Sequence, residues 1–228
     1  MGQLLASDLI ARVATTLFDT NNAQWSQPEL LAYLNEGQRE IAIAQPTATS
    51  VIASVPLVPG ARQTLPADAW LLFDVLRNMG PAPGTTPGLP IRVIARRLLD
   101  TFQPTWMIGP AASMVKSYIY DLRDQLSFFV YPPNDGTGFV EMNYSQIPTP
   151  ITANEPTALS DALDTALLNY MLYRACIKRV DYAPGPTVGA SYLALFNAIL
   201  GIKAASEAAQ NPNLALLPAT ADKLEGET

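Results

Sequence analysis

Two aspartates, Asp121 and Asp124, flank Leu122-Arg123 at a spacing that would let their carboxylates share one divalent cation. The corresponding activity is that of a carboxylate metal-dependent hydrolase. An arginine between two acids more often marks a solvated, hydrogen-bonded turn, because Asp side chains in turns bond their own backbone. Gly136-Thr137-Gly138 offers the outline of a phosphate loop. It lacks the Lys-Ser or Lys-Thr of a P-loop and falls where a hairpin turn is expected. The chain has no histidine, which removes Ser-His-Asp and Cys-His mechanisms, histidine acid–base catalysis and the common zinc sites. Its one cysteine, Cys176, lies in a helical pattern and reads as a buried, inert thiol, in keeping with a reducing cytoplasm. No catalytic residue, metal site or cofactor is expected. The chain is read as non-enzymatic, with the hydrolase at Asp121 and Asp124 as an alternative.

A further group with chemical potential is aromatic: Tyr118, Tyr120, Phe128, Phe129, Tyr131, Phe139 and Tyr144. Such side chains can stack bases or sugars, but they lie in strand-like segments where cross-strand packing accounts for them. Net charge is −6 and the pI is about 4.6, so the basic footprint that phosphate neutralisation needs is missing. Hydrophobic residues make up 49% of the 228 positions and charged residues only 15%, against about 25% in ordinary soluble domains. That composition reads either as many alanines inflating the hydrophobic count or as surface covered by other subunits. Neither a signal peptide nor a membrane span is expected, since the long apolar stretches are interrupted, as at Asn169 and Arg174.

The elements that would carry these residues are organised around the helix of residues 160–180. Leu159, Leu163, Ala166, Tyr170, Tyr173, Ile177 and Val180 recur at helical spacing, and Leu168, Leu172 and Ala175 form a second stripe. Ser160 is the expected N-cap, with Asp161 and Asp164 at the start and Arg174, Lys178 and Arg179 at the end. A second helix follows the Pro/Gly break at residues 183–186 and runs to about Gln210, with Tyr192, Leu195, Phe196, Ile199 and Ile202 on one face. The pair reads as an αα-hairpin. At the other end, residues 3–18 form an amphipathic helix closed by Asp19-Thr20-Asn21-Asn22. Ser26 and Glu29 then make a capping box, and Trp25 with Leu30 a hydrophobic staple, for a helix running to Pro46.

Between the helix pairs, residues 47–147 read as strands: a hairpin turned at Pro59-Gly60, a strand over residues 71–79, a proline-rich loop over 80–90, a strand over 91–95 and a helical turn at 96–100. A meander of 116–120, 126–131 and 139–144 is turned at 121–124 and 134–136. The expected fold is α+β. It comprises a discontinuous helical bundle (1–45 and 151–211), an inserted antiparallel β-rich domain (46–150) and a C-terminal tail (212–228).

The order of motifs resembles the phage adaptor family, the head-to-tail connector proteins of tailed bacteriophages. The resemblance is carried by Leu65-Pro66-Ala67-Asp68 before Asp74-Val75-Leu76-Arg77-Asn78, by Arg96-Arg97-Leu98-Leu99-Asp100 with Pro104 and Trp106, and by Tyr120-Asp121-Leu122-Arg123-Asp124 with Phe128 and Val130-Tyr131-Pro132-Pro133. Leu172-Tyr173-Arg174-Ala175 and Leu200-Gly201-Ile202-Lys203 complete it, and the loop at 80–90 departs from it. The resemblance implies a homo-oligomeric ring, typically of twelve subunits, at the head–tail junction of a virion assembled in the host cytoplasm. Its partners would be the portal protein and a tail tube or nozzle protein, with genome DNA passing through the channel without sequence-specific binding. A stopper or tail-completion protein is the nearer alternative. Leu214, Leu216 and Leu217, in an otherwise polar tail, are the expected portal-docking residues.

Overall fold

The computed structural model describes residues 4–178 and 185–210. The fold is α+β, and the described residues form five α-helices and two sheets. The chain divides into two compact units, one of residues 1–8 with 35–161 and the other of 9–34 with 162–228; the division falls inside the first two helices.

The first unit holds the strands: β1 (Ser50–Pro56), β2 (Gly60–Thr64), β3 (Ala69–Asn78), β4 (Arg92–Val93), β5 (Ser117–Tyr120), β6 (Ser127–Asn134) and β7 (Phe139–Gln146). They form a three-stranded antiparallel sheet, β1-β7-β3, and a four-stranded sheet, β2-β6-β5-β4, parallel only between β4 and β5. The expected β5–β6 hairpin is present, but β7 does not continue the meander and β1 does not pair with β2. Instead β1 pairs with β7 and β2 with β6. Residues 50–64 and 127–146 are thus one long two-stranded ribbon that bends from sheet to sheet. The turn signals at Pro59-Gly60 and at 134–136 mark opposite sides of that bend.

Side-chain amides hold the bend. Buried Gln63 accepts the Val58 N–H at 2.8 Å and donates to the Val58 and Gly60 carbonyls. Buried Asn134 accepts the Gly136 N–H at 2.8 Å and donates to the Ala112 and Ser113 carbonyls. Both amides satisfy backbone groups that the interrupted ladder would otherwise leave without partners in the interior. Gly138 is required here, since a Cβ would sit 2.4 Å from the Ser113 carbonyl oxygen.

Strand alternation sends Phe128 and Val130 of β6, and Val140, Met142 and Tyr144 of β7, into one core with Val75 of β3. The opposite face of β6 carries Phe129 and Tyr131 toward Trp106 and Leu99. Those two residues come from α3 (Arg96–Phe102) and a 3-10 turn (Trp106–Ile108). Aromatic strand residues are therefore packing residues on both faces of the four-stranded sheet.

The helical elements are α1 (Ala6–Thr16), α2 (Gln27–Ala44), α4 (Asp164–Lys178), entered through a 3-10 turn at Asp161–Leu163, and α5 (Gly185–Gln210). In α4 the expected stripe is buried at Leu163, Ala166 and Tyr170, whereas Ile177 is exposed. Arg179 and Val180 lie outside the described residues. Helices α4 and α5 form the expected pair, with Tyr170 and Phe196 ring centroids 5.4 Å apart. The five residues expected on one face of α5 do not all turn inward: Phe196 is buried, but Leu195 and Ile202 are exposed.

Candidate functional site

Asp124 accepts a hydrogen bond from the Ser127 hydroxyl and pairs with Arg62 at 3.1 Å, while Asp121 accepts the Arg123 N–H at 3.0 Å. These are turn and ion-pair bonds, in keeping with the solvated-loop alternative. Among the described residues no three metal-binding side chains come together. Gly136-Thr137-Gly138 is the inner side of the ribbon bend, where Thr137 bonds the Asp135 carboxylate and holds it below the usual carboxylate range.

Those residues of the resemblance that lie between 65 and 133 find partners within the first unit. The Tyr118 hydroxyl donates to Asp74 at 2.8 Å; burial, then that carboxylate, raises the Tyr118 pKa. Arg77 pairs with Glu141 at 3.3 Å. Asn78 donates to the Leu89 and Val115 carbonyls and accepts the Val115 N–H, fastening the 80–90 loop and the approach to β5 onto the end of β3. Asp100 accepts the Trp106 indole N–H at 2.8 Å, and Arg96 stacks over Phe129 at 5.3 Å. These motifs hold strands, loop and α3 of the first unit together.

In the second unit, the Asp19 carboxylate accepts the N–H groups of Ala23, Gln24 and Trp25. The Trp25 bond is the largest reason its pKa is lowered, opposed by burial. The chain is thereby set to enter α2, whose first N–H groups bond the Ser26 carbonyl. Glu29 supplies its half of the capping box by accepting the Ser26 N–H, and it binds Lys178 at 2.7 Å and the Tyr33 hydroxyl at 2.8 Å. The Lys178 bond is the largest cause of its lowered pKa. Trp25 is buried, with its indole N–H on the Ala175 carbonyl at 3.2 Å.

What the structure leaves uncovered is apolar. On the first unit, Phe102 and Ile108 are 75% and 84% exposed beside a cleft of about 370 Å³ lined by Trp106, Tyr131, Pro132 and Pro133. A second cleft of about 390 Å³ lies between Ile94, Arg96 and the turn at Asp121 and Leu122. On the second unit, α5 is long and apolar enough over Gly185–Glu207 to cross a membrane, unlike the interrupted stretches read from sequence, and 17% of it is buried. The expected portal-docking residues Leu214, Leu216 and Leu217 lie outside the described residues.

Sequence reading missed the buried amides Gln63, Asn78 and Asn134. Their sole signal was position, beside turn residues. It also missed the outward flank of α5, where seven-residue spacing of Val188, Leu195 and Ile202 could have revealed it.

No curated protein matches the chain. The model of one family, described as SU10 adaptor protein, matches residues 5–215. That span takes in every strand and helix described above, and the chain accordingly belongs to the SU10 adaptor protein family.

Proposed function

We propose that the chain is a structural protein of a tailed phage particle, a head-to-tail adaptor that forms a ring between the portal protein and a tail tube or nozzle protein. Twelve copies would surround a channel through which genome DNA passes. The observation that carries this reading is the family match across residues 5–215. Three physical features support it. Only 15% of residues are charged, and large apolar side chains are exposed on both units, which suits a subunit that is covered by neighbours. The net charge of −6 suits a channel that must not grip phosphates.

In this reading the paired helices of 1–45 and 151–211 form the scaffold and 46–150 is the β-rich insertion. The segment 212–228 docks on the portal through Leu214, Leu216 and Leu217. Assembly takes place in the host cytoplasm and the finished ring sits at the head–tail junction of the virion.

The test is the mass of the purified protein in solution, alone and after mixing with the portal or the tail protein. A closed multimer retained by the portal is the expected result. Retention by tail protein alone would assign it instead to the stopper or tail-completion class. Calorimetric titration with divalent metals is expected to show no binding at Asp121 and Asp124.

A further inference from the structure

Helix α5 carries large apolar side chains on more than its inner face, whereas a helix at the edge of a water-soluble fold carries one apolar stripe. Its inner face, with Phe196 and Leu200, is buried. Outside that face run two different lines. Val188, Leu195 and Ile202 repeat every seven residues and are 42%, 52% and 71% exposed. Seven residues return within about 20° of the same direction, so these three side chains form one row of knobs. Ala190, Asn197 and Ala204 also repeat every seven residues and are exposed. Being two positions further on, at about 100° per residue, they lie on the opposite flank. Ala194 and Gly201 lie beside that row, also exposed. With half-buried Leu193 or buried Leu200 as the fourth corner, Ala190, Ala194 and Asn197, or Asn197, Gly201 and Ala204, have the spacing of a hole that accepts one knob.

Gly201 is the independent sign that something approaches this flank. It interrupts an exposed helix, where glycine is unfavourable relative to alanine. Its own chain gives no reason for it: an added Cβ would meet nothing within 4 Å. We propose that α5 is the contact between copies of this chain, with the row Val188, Leu195 and Ile202 of one copy seated against the Ala190, Ala194, Asn197, Gly201 and Ala204 flank of the next. The inference rests on the ring reading above and gives it an interface.

A second copy is the occupant because both halves of a helix–helix seam stand on the same helix with the same repeat. Charge does not oppose it, since the charged side chains nearest the seam, Lys203 and Glu207, pair with each other at 3.4 Å. The knob row of one copy and the hole row of the next differ, so the contact is heterologous and propagates into a ring instead of stopping at a two-fold dimer. Area agrees with that. Helix α5 has 26 residues, about 39 Å in length, and a seam about 10 Å wide covers roughly 400 Å² on each copy. The total of about 800 Å² is below what a stable isolated pair buries, so the contact holds through closure of the ring. A bilayer suits α5 less well, because most of the flank facing outward is Ala, Gly, Ser and Asn, which gain little from hydrocarbon.

The experiment uses the full chain with Cys176→Ala, Leu195→Cys and Ala190→Cys, the two new thiols being on opposite flanks where they cannot bridge within one helix. Mild oxidation at high protein concentration is expected to give a ladder of multimers. Dimers alone would overturn the heterologous arrangement. In parallel, Gly201→Leu on the otherwise unaltered chain is followed by sedimentation and thermal melting. We expect an unchanged or higher Tm and at least a tenfold weaker self-association. Should Gly201→Leu assemble like the parent, α5 is not the seam, although the ring may still form through another face; a parent that stays monomeric at every concentration would overturn seam and ring alike. Loss of the ladder on truncation after Gln210 would make the tail the occupant. Flotation of the parent with phosphatidylcholine–phosphatidylglycerol vesicles would make it a bilayer.

Discussion

Asp19 is where a single charge does most for the local backbone. Its two oxygens take three N–H groups from the turn that leads into α2, and those bonds favour the ionised form. A carboxyl whose folded pKa is depressed adds stability that is present above its unfolded pKa of about 3.9 and is lost as pH falls through the folded value. Asp19→Asn keeps the shape but can no longer accept all three bonds. Its Tm should lie below that of the parent at pH 7, and the gap should narrow as pH falls below about 4; a gap of constant size across pH 3–7 would falsify the assignment. Asn78 makes a parallel case without charge. Its amide serves the Val115 N–H and the Leu89 and Val115 carbonyls in a buried place. Asn78→Ala strands the Val115 N–H and carbonyl, while the Leu89 carbonyl keeps the backbone N–H of position 78; at about 1–3 kcal/mol for each unsatisfied buried group it should cost about 2–6 kcal/mol, measured by urea unfolding.

Among the elements, α2 shows how much a helix start contributes. Ser26 is its N-cap residue and Trp25 sits in the staple position, buried and bonded to the Ala175 carbonyl. Ser26→Ala should change stability by no more than about 0.5 kcal/mol, because the first N–H groups of α2 bond the exposed Ser26 through its backbone carbonyl, which alanine keeps. Trp25→Ala should lower stability by about 3–5 kcal/mol, and Trp25→Phe by much less, because burial is kept and only one hydrogen bond is lost. Equal unfolding midpoints for Trp25→Ala and Ser26→Ala would mean that the indole is not anchoring α2 to α4. This start was legible in the sequence because its signals are local patterns, although the expected capping box is engaged through the backbone of Ser26 and the Glu29 carboxylate and not through the Ser26 hydroxyl. The helix spans, the strand at Ala69–Asn78 and the loop after it were legible for the same reason. Strand pairing was not. A turn such as Asn134-Asp135-Gly136 signals a change of direction, and the same residues serve a hairpin or the bend of a longer ribbon. Which one forms depends on Gln63 and Asn134 meeting backbone from distant segments. The candidate site divided likewise: Asp121 and Asp124 were readable as a turn, whereas the exposed flanks of α5 depended on knowing which side α4 covers.

At the scale of the whole molecule, the remaining question is how a weakly charged subunit attaches to a larger particle, and the tail is the part of the sequence suited to it. In the docking proposed above, 212–228 is read from its sequence as a tail: Pro212 and Pro218 are poor helix formers, and few residues from Ala219 onward are apolar. Leu214, Leu216 and Leu217 are nevertheless three large apolar side chains in four positions. Burying each in a partner's groove contributes roughly 1.5–3 kcal/mol, opposed by about 1–2 kcal/mol per residue for ordering the backbone. One tail therefore binds weakly. In the proposed ring many tails would be presented at once, and after the first had docked the others would bind at high effective concentration, so the summed attachment would be firm without any strong single contact. Truncation after Gln210 should leave circular dichroism and Tm almost unchanged, while the ring no longer co-elutes with portal on a sizing column. Co-elution of the truncated ring as complete as that of the full chain would place the docking surface in the folded body, and the cleft beside Phe102 and Ile108 would be the next surface to alter.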